Sequence, residues 1–341
     1  MRVLILGDAE LNNGPSNVHK ALVRHWPTVD EVDYVRSRNK AGFVFEGLRK
    51  GLRSDVIVSP CMDMAGIVAQ QTLRLFGKPV ICFNHGYVPF ENDINGLGHG
   101  EVWISLYKGA LRQADCVVCN SLLQERFVLA RQPELEGRTC HILLGIEHFD
   151  QRAPRRHKEA VIAVSGGSRA IKGNDTVVRA CAKLRGRGVP CRLRLYGDFD
   201  QGAEALRGIM DQKYDREMGQ VSREMFLDGL SDCSLFVMNS RHEPFGLSAI
   251  DAIEAGVPVL ISRNCGIDEV LGLEKVDVVD NPEDVSEVAG KMAFLLGHPN
   301  ARRLYKSIDF GALSWDMQTA KLRQMCADVL NKRGVRRRED D

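Results

Sequence analysis

Two acidic residues lie eight positions apart in the stretch SRHEPFGLSAIDAIEAGVPVLIS. Glu243 precedes a Pro-Phe-Gly break, and Asp251 lies in the helix-like run after that break. A helix that begins here leaves its first N–H groups, those of Phe245, Gly246 and Leu247, without partners inside the helix. The carboxylates are then either helix caps and dipole partners or acceptors for the hydroxyls of a ligand. The stretch alone leaves both interpretations open.

A second candidate site lies in SGGSRAIKGNDT, which joins a predicted strand to a predicted helix. Its paired glycines, with Arg169 and Lys172, offer free N–H groups and cations, a combination that suits a phosphate or diphosphate. The stretch contains neither GxxxxGK(S/T) nor GxGxxG, which argues against a P-loop and a dinucleotide fingerprint. A plain surface turn is the other interpretation.

Short apolar runs alternate with helix-like stretches along the chain, the pattern of parallel sheets covered by helices on both faces. The predicted strands are residues 2–7, 56–60, 79–84, 116–120, 160–166, 191–197, 235–240 and 257–262. The predicted helices include residues 16–26, 67–77, 175–188 and 247–256.

Two such series predict two doubly wound α/β domains, with the break in the polar stretch DQRAPRRHKE at 150–159. Doubly wound sheets bind ligands beyond the carboxyl ends of their strands. This rule selects the loops at 7–17, 84–90, 166–174 and 240–248, which contain both candidate sites.

Composition excludes several classes of protein. Hydrophobic residues make up 44% of the 341 and charged residues 27%, and the net charge of +1 gives no overall attraction to nucleic acid. The apolar run near the N-terminus is too short for a signal peptide, and no stretch reaches the about 20 apolar residues of a membrane span, so we expect a cytoplasmic protein. Most of the ten cysteines lie in apolar, strand-like stretches and are expected to be core residues, and Cys116 and Cys119 of CVVC are interpreted in the same way rather than as a metal or redox site.

The combination EPFGLxxxD followed by EAGVPVL resembles the signature of retaining glycosyltransferases of family 4. That motif is a Glu, seven residues and a second Glu, with Pro-Phe-Gly-Leu after the first and Gly-x-Pro-Val close behind. The resemblance implies the GT-B fold, in which two Rossmann-like doubly wound domains face each other across a cleft. It places the N-terminal, acceptor-binding domain at 1–155, joined by a C-terminal helix at 312–334, and the nucleotide-sugar-binding domain at 156–311.

Further matches occur in the family's order along the chain. Lys172-Gly173 matches the family's Lys-Gly, LYGDFD its Gly-Asp strand end, and CGIDEVL its Gly-Gly-x-x-Glu-Val segment, with Glu269 in place. HILLGIEHF resembles the interdomain segment, and LSWDMQTAKLRQM the Ser-Trp helix that returns to the first domain.

The resemblance implies that His85, Glu243 and Lys172 are catalytic. Glu243 would accept hydrogen bonds from hydroxyls of the donor sugar, Asp251 would bind the ribose hydroxyls, and Lys172 would neutralise the diphosphate. The remaining implied contacts are Arg169 and the main chain of Gly14 to the donor phosphates, the N–H groups of Phe245, Gly246 and Leu247 to the donor, and His85 to the sugar and acceptor.

Four positions depart from the family's pattern. Asp251 stands in place of the second Glu, Gly167 in place of an Arg five residues before Lys172, Glu147 in place of an interdomain Asp, and Leu144 in place of Asn. None of these removes a charge that the implied mechanism needs except at Gly167, where Arg169 is the nearby cation. The resemblance therefore implies an active enzyme.

The implied reaction moves a hexosyl group, with retention, from a nucleotide diphosphate sugar to a hydroxyl of a glycan or lipid-linked acceptor, in cell-surface polysaccharide or glycolipid synthesis. A uridine donor is the family's commonest, and neither a cofactor nor a metal is expected. Asp198-Phe-Asp200 has the pattern of a metal-binding Asp-x-Asp but is interpreted as a turn. The alternatives are an epimerase or glycan phosphorylase of the same fold, or a non-catalytic sugar-nucleotide-binding subunit.

A basic and apolar cluster lies within residues 36–54. One interpretation is an amphipathic helix with a solvated face; the other is a peripheral contact with anionic lipid at the inner face of the cell membrane. The cluster consists of Arg36, Arg38, Lys40, Arg49, Lys50 and Arg53 around Phe43, Phe45, Leu48 and Leu52.

Overall fold

The computed structural model of the protein describes residues 1–10, 14–152 and 159–339. The chain divides into a first unit, Met1–Asn92 with Gly98–Glu147 and Phe310–Asp341, and a second unit, Asp93–Leu97 with His148–Asp309. The predicted break at 150–159 falls mostly on residues 153–158, which lie outside the described residues. The sequence did not indicate that the short segment 93–97 groups with the second unit.

The first unit contains one parallel sheet, with six strands among the described residues in the order β2-β1-β3-β4-β5-β6. The strands are β1 (Arg2–Asp8), β2 (Glu31–Val35), β3 (Val56–Ser59), β4 (Val80–Asn84), β5 (Cys116–Cys119) and β6 (Thr139–His141). The helices are α1 (Gly14–His25), α2 (Lys40–Gly51), α3 (Met64–Leu75), α4 (Val88–Asn95), α5 (Glu101–Gln113), α6 (Leu122–Leu129) and α13 (Trp315–Glu339).

Fully buried strands give this sheet its core, as the continuous apolar runs predicted. Every residue of β3, β4 and β5 is buried, because helices cover both faces of a parallel sheet. Cys116 and Cys119 are buried free thiols in β5, which confirms their interpretation as core residues. The terminal helix α13 packs against α1, and Arg323 donates to Asp30 at 2.6 Å.

The second unit contains a parallel sheet in the order β12-β11-β10-β7-β8-β9 among the described residues. Its strands are β7 (Ala160–Val164), β8 (Cys191–Tyr196), β9 (Asp215–Gly219), β10 (Leu235–Met238), β11 (Val259–Ser262) and β12 (Val278–Val279). Its helices are α7 (Asn174–Gly186), α8 (Ala203–Arg207), α9 (Arg223–Ser231), α10 (Leu247–Glu254), α11 (Val285–Gly297) and α12 (Ala301–Ser307).

The strand order of this sheet positions the candidate site. β7 and β10 are neighbours, with Leu235 opposite Ile162, although about seventy residues of chain separate them. The loops that follow two adjacent parallel strands leave the same edge of the sheet. The glycine-rich loop after β7 therefore lies beside the Glu243 loop after β10.

All eight predicted strands and the four named helices are present, within a few residues at their ends. The strands that were not predicted, β2, β6, β9 and β12, lie at the edges of the two sheets. Most residues of β2, β6 and β9 are only partly buried. None of the described helices is both long enough and apolar enough to cross a membrane.

Candidate functional site

Lys172 and Glu243 form an ion pair at the carboxyl edge of the second unit's sheet. Lys172 Nζ donates to Glu243 Oε2 at 2.5 Å. The exposed fraction is 17% for the Lys172 side chain and 15% for that of Glu243. Lys172 ends a short 3₁₀ turn, Ala170–Lys172, that leads into α7. The structure thus brings together two residues 71 positions apart that the sequence placed in separate candidate sites.

The pair keeps Glu243 ionised. Burial would raise the pKa of Glu243, but the charge and hydrogen bond of Lys172, helped by Arg169, lower it below the ordinary value. A buried carboxylate held in this state is an acceptor for hydroxyl groups. The ionised state of Glu243 also depends strongly on Lys172, because burying an unpaired charge at this depth has a high free-energy cost.

Main-chain hydrogen bonds fix the Glu243 loop. Glu243 N–H donates to the Asn264 carbonyl at 2.8 Å, and Gly266 N–H donates to the Glu243 carbonyl at 2.9 Å. A bridge between Glu243 and Cys265 joins the loop to the CGIDEVL segment. Two segments that match the family separately in sequence therefore form one structural unit.

The glycine-rich turn is shaped by close contacts that leave no space for side chains. A Cβ on Gly166 would lie 2.6 Å from Lys172 Cγ, so the lysine stem crosses the main chain there. A Cβ on Gly167, whose φ is +64°, would lie 1.7 Å from the Asp198 carbonyl oxygen. The arginine that the family usually has at this position cannot fit, which explains the departure at Gly167.

Two further residues hold this turn, and sequence reasoning missed both. The buried Asn174 side chain donates to the carbonyls of Ser165 and Gly167 at 3.1 and 2.7 Å. Arg241 donates to Asp175 at 3.0 and 3.1 Å and also to the carbonyl of Ala170. The available signals were an Asn at the predicted start of α7 and an Arg two residues before Glu243.

Helix α10 begins at Leu247, after Gly246 in a left-handed conformation, without a side-chain cap. Ala249 N–H donates to the Gly246 carbonyl at 3.0 Å, whereas no side chain of the described residues caps the N–H groups of Gly246 and Leu247, which a ligand acceptor could therefore use. The Phe245 side chain is buried in the core, so only its main chain is available for such a role. Glu254, at the end of α10, instead accepts a hydrogen bond from Phe149 N–H at 2.8 Å and has a structural role.

Asp251 lies one turn further along α10 and contacts a cation that the sequence did not indicate. Arg223 Nη2 donates to Asp251 Oδ1 at 3.0 Å, and 14% of the Asp251 side chain is exposed. Arg223 begins α9 and is itself 41% exposed. A ribose that binds Asp251 would share this carboxylate with Arg223, which one carboxylate permits because it has about four acceptor positions.

Arg169 and Gly14 are the two remaining residues predicted to contact the donor phosphates. Arg169 lies at the start of the 3₁₀ turn and is near enough to Glu243 to lower the pKa of that carboxyl group. Gly14 begins α1 in the first unit and is exposed, but Asn12 and Asn13 of the same predicted loop lie outside the described residues.

His85 follows β4 in the first unit, at the carboxyl edge of that sheet. Its ring contacts His19 and Asn120, with Nε2 to Nε2 at 3.0 Å for the histidine pair and 3.4 Å between Nδ1 and Asn120 Nδ2. Burial, and the neighbouring His19, hold the pKa of His85 well below its usual range. His85 is therefore neutral around pH 7.

Asp198 and Asp200 form a turn, as expected, because Asp200 N–H donates to Asp198 Oδ1 at 2.9 Å. In the described part of the chain, no group of three or more His, Cys, Asp or Glu residues is arranged to hold a metal ion.

The basic cluster at 36–54 is only partly available to a partner. Lys50 is 10% exposed and pairs with Asp33 and Glu46, and Arg36 pairs with Asp33, so these two cations are neutralised within the protein. Phe43 and Leu48 pack against the core, whereas Phe45 and Leu52 are exposed. The exposed cations of the cluster are Arg36, Arg38, Lys40, Arg49 and Arg53.

The chain is similar to glycosyltransferases of known sequence and structure. It is 29% identical over 121 residues to 2-deoxystreptamine N-acetyl-D-glucosaminyltransferase from Niallia circulans, covering 35% of this chain and 31% of that protein. The first three curated relatives are matched over about a third of their length, 31%, 34% and 30%.

Solved structures match over nearly the whole chain. Sucrose-phosphate synthase from Thermosynechococcus elongatus superposes with a TM-score of 0.74 at 18% identity, covering 97% of this chain and 99% of that one. Anabaena HepE in complex with UDP-glucose also gives a TM-score of 0.74, at 14% identity, covering 97% and 100%. These likenesses confirm the expected α/β GT-B fold.

A family model described as family 4 glycosyltransferase in conflict systems matches residues 110–318, which is more than half of the chain. The matched region includes the glycine-rich turn, the Lys172–Glu243 pair and helix α10. The chain belongs to the family 4 glycosyltransferases, of the type found in conflict systems.

Proposed function

We propose that this protein transfers a hexosyl group, with retention of configuration and without a metal ion, from a nucleotide diphosphate sugar to a hydroxyl of an acceptor. The observation that carries the proposal is the buried Lys172–Glu243 pair, set between a glycine-rich turn and the uncapped start of α10. Each of these groups matches one part of such a donor. The Lys172 cation and the N–H groups would bind the diphosphate, and the carboxylates would bind the hydroxyls.

Lys172 can serve Glu243 and the donor together. An ammonium group has three N–H donors, so it can keep its bond to Glu243 and donate to a phosphate oxygen. As the bond between sugar and phosphate breaks, negative charge grows on the leaving diphosphate, and this cation and the α10 dipole would stabilise it. Glu243 would orient the sugar by accepting from its hydroxyls, and His85 would contact the sugar or acceptor.

A uridine diphosphate sugar is the proposed donor. HepE, whose fold this chain shares, has been solved with UDP and with UDP-glucose. The proposed acceptor is a glycan or lipid-linked glycan in surface polysaccharide or glycolipid synthesis. The family description names conflict systems but no acceptor, so a protein acceptor is tested beside the glycans.

The direct test incubates the protein with each of a panel of UDP-sugars, first alone and then with glycan, lipid-linked and protein acceptors. We expect UDP release that depends on acceptor, an α-linked product from an α-linked donor, and unchanged rates in excess EDTA. Formation of a new nucleotide sugar without acceptor would indicate an epimerase. Formation of a sugar phosphate from a glycan and phosphate would indicate a phosphorylase. Binding of UDP-sugar with no turnover on any acceptor would indicate a non-catalytic subunit.

The affinity for UDP should fall when the carboxylate of Asp251 is removed and should be kept when it is replaced by another carboxylate. Because a carboxylate accepts from both ribose hydroxyls, Asp251→Asn should weaken UDP binding by roughly tenfold, about 1.4 kcal/mol. Asp251→Glu, which restores the family's usual residue, should bind UDP within about threefold of the wild type. Calorimetric titration with UDP measures both, and equal affinity of all three proteins would exclude Asp251 from the ribose site.

We also propose that the exposed face of α2 contacts anionic membrane. Phe45 and Leu52 are 71% and 44% exposed on this helix and its C-terminal end, and Arg49 and Arg53 lie beside them. Exposed apolar side chains flanked by cations are the combination that binds an anionic interface, at about 1 kcal/mol for each cation near the surface.

The double variant Arg49→Glu/Arg53→Glu should therefore lose binding to vesicles that contain phosphatidylserine. We expect at least a tenfold loss in a co-sedimentation assay, because each reversal replaces attraction by repulsion. Arg302→Glu/Lys306→Glu makes the same charge change on exposed residues of α12 and should bind as the wild type does. Equal retention of vesicle binding by both double variants would contradict the membrane contact.

A further inference from the structure

A chain of hydrogen bonds links His85 to the main chain of β1 through a second histidine. His19, in α1, contacts His85 by Nε2 at 3.0 Å and contacts the Asp8 carbonyl oxygen by Nδ1 at 2.8 Å. On the other side of the His85 ring, Asn120 Nδ2 lies 3.4 Å from Nδ1. The register of the sheet places Asn120 there, because Asn84 lies opposite Cys119 and the next residues are His85 and Asn120.

The Asp8 carbonyl, at one end of this series of hydrogen bonds, determines which atom donates in each of them. A carbonyl oxygen only accepts, so His19 must carry its proton on Nδ1. Burial of His19 lowers its pKa, so the ring is neutral and its Nε2 is an acceptor. His85 must then donate from Nε2, which leaves His85 Nδ1 unprotonated and able to accept from Asn120.

The packing around His19 leaves its ring little freedom. Only 4% of the residue is exposed, and a Cβ added to Gly7 would lie 2.5 Å from its Cε1 atom. The ring therefore lies directly on the main chain of β1. Phe83 contacts the His85 ring edge to face, with centroids 5.0 Å apart, so the second ring is also held by packing.

We propose that His19 is a positioning residue that holds His85 as the Nε2-protonated tautomer, so that His85 presents only an acceptor nitrogen, Nδ1, to a ligand hydroxyl. This inference rests on the proposed role of His85 in sugar transfer. The contact from Asn120 to Nδ1 is long, so a hydroxyl can replace it with little loss. Asn120 is only 2% exposed, so packing holds its amide beside the His85 ring.

Nitrogen NMR of protein labelled with 15N-histidine tests the tautomer directly. In the wild type at pH 7.5, we expect a protonated Nε2 and a bare Nδ1 for His85, and the reverse for His19. Assignment uses His19→Phe and His85→Phe. In His19→Phe, the His85 signals should move toward the average of the two tautomers. A wild-type His85 protonated on Nδ1, or already averaged, would overturn the proposal.

Transfer rates and UDP binding then separate this inference from the proposed function. His19→Phe should lower kcat at least tenfold, with UDP affinity within about twofold, because the nucleotide would bind the second unit. His19→Gln keeps an acceptor near His85 and should recover much of the rate, whereas Gly7→Ala should displace the ring and behave as His19→Phe does. Equal rates in all variants would overturn the positioning role; no transfer by the wild type would instead overturn the proposed function, with the tautomer still decided by NMR.

Discussion

Lys172→Met should slow sugar transfer at least tenfold, a loss of about 1.4 kcal/mol or more of transition-state stabilisation. Methionine fills a similar volume but removes the cation that would neutralise the leaving diphosphate. It also leaves Glu243 without its ion-pair partner, so the pKa of Glu243 should rise and part of the sugar-orienting carboxylate should become protonated. Initial rates at saturating UDP-sugar and acceptor measure the effect.

The matched experiments are Glu243→Gln and Lys183→Met. Glu243→Gln keeps the shape of the side chain but removes its charge, and we expect a loss of rate of at least tenfold with UDP still bound. Lys183, in α7, donates to Ser286 at 2.5 Å and not to Glu243, so Lys183→Met should leave the rate within twofold. Near-normal turnover in Lys172→Met and Glu243→Gln would disprove the site assignment.

Gly167→Ala should destabilise the second unit by about 3 kcal/mol, since it adds left-handed strain and a collision with the main chain. The new Cβ would lie 1.7 Å from the Asp198 carbonyl oxygen, and that oxygen also accepts the Ser168 N–H at 3.0 Å. Relief of the collision must therefore move the glycine-rich turn, and with it Lys172. We expect a lower urea midpoint of unfolding together with loss of UDP binding.

Gly167→Arg, which restores the residue usual in the family, should be no better than Gly167→Ala, because the collision begins at Cβ. Gly186→Ala is the control: Gly186 lies in α7, and an added Cβ would have no atom of the described residues within 4 Å beyond its chain neighbours and the helix's own main chain. That change should leave stability unchanged or raise it slightly. Full stability of Gly167→Ala, or tighter UDP binding by Gly167→Arg, would contradict the explanation of this departure.

Local patterns in the sequence were enough to predict eight of the described strands, several helices and the separate candidate loops. Buried parallel strands such as VICFN are continuous apolar runs, and the Pro-Phe-Gly break before LSAIDAIE marks a helix start, so both are visible without any tertiary information. The resemblance to family 4 glycosyltransferases depended on the same contiguous motifs. The edge strands were missed because their residues are partly exposed and include many polar side chains, as in DREMG of β9, so they lack the continuous apolar run that marks a buried strand. The grouping of Asp93–Leu97 with the second unit was missed because it depends on tertiary contacts.

The sequence by itself thus predicted which residues carry the chemistry: Glu243, Lys172, Asp251 and His85. Only the tertiary structure decided which of them meet, because the order β10-β7-β8, and not distance along the chain, makes the Lys172 and Glu243 loops neighbours. It also supplied Arg223 as the partner of Asp251 and His19 as the partner of His85, and neither belongs to a motif matched in the sequence. A hydrogen-bond partner is selected by position in space, and residues with the same partner can come from any part of the sequence.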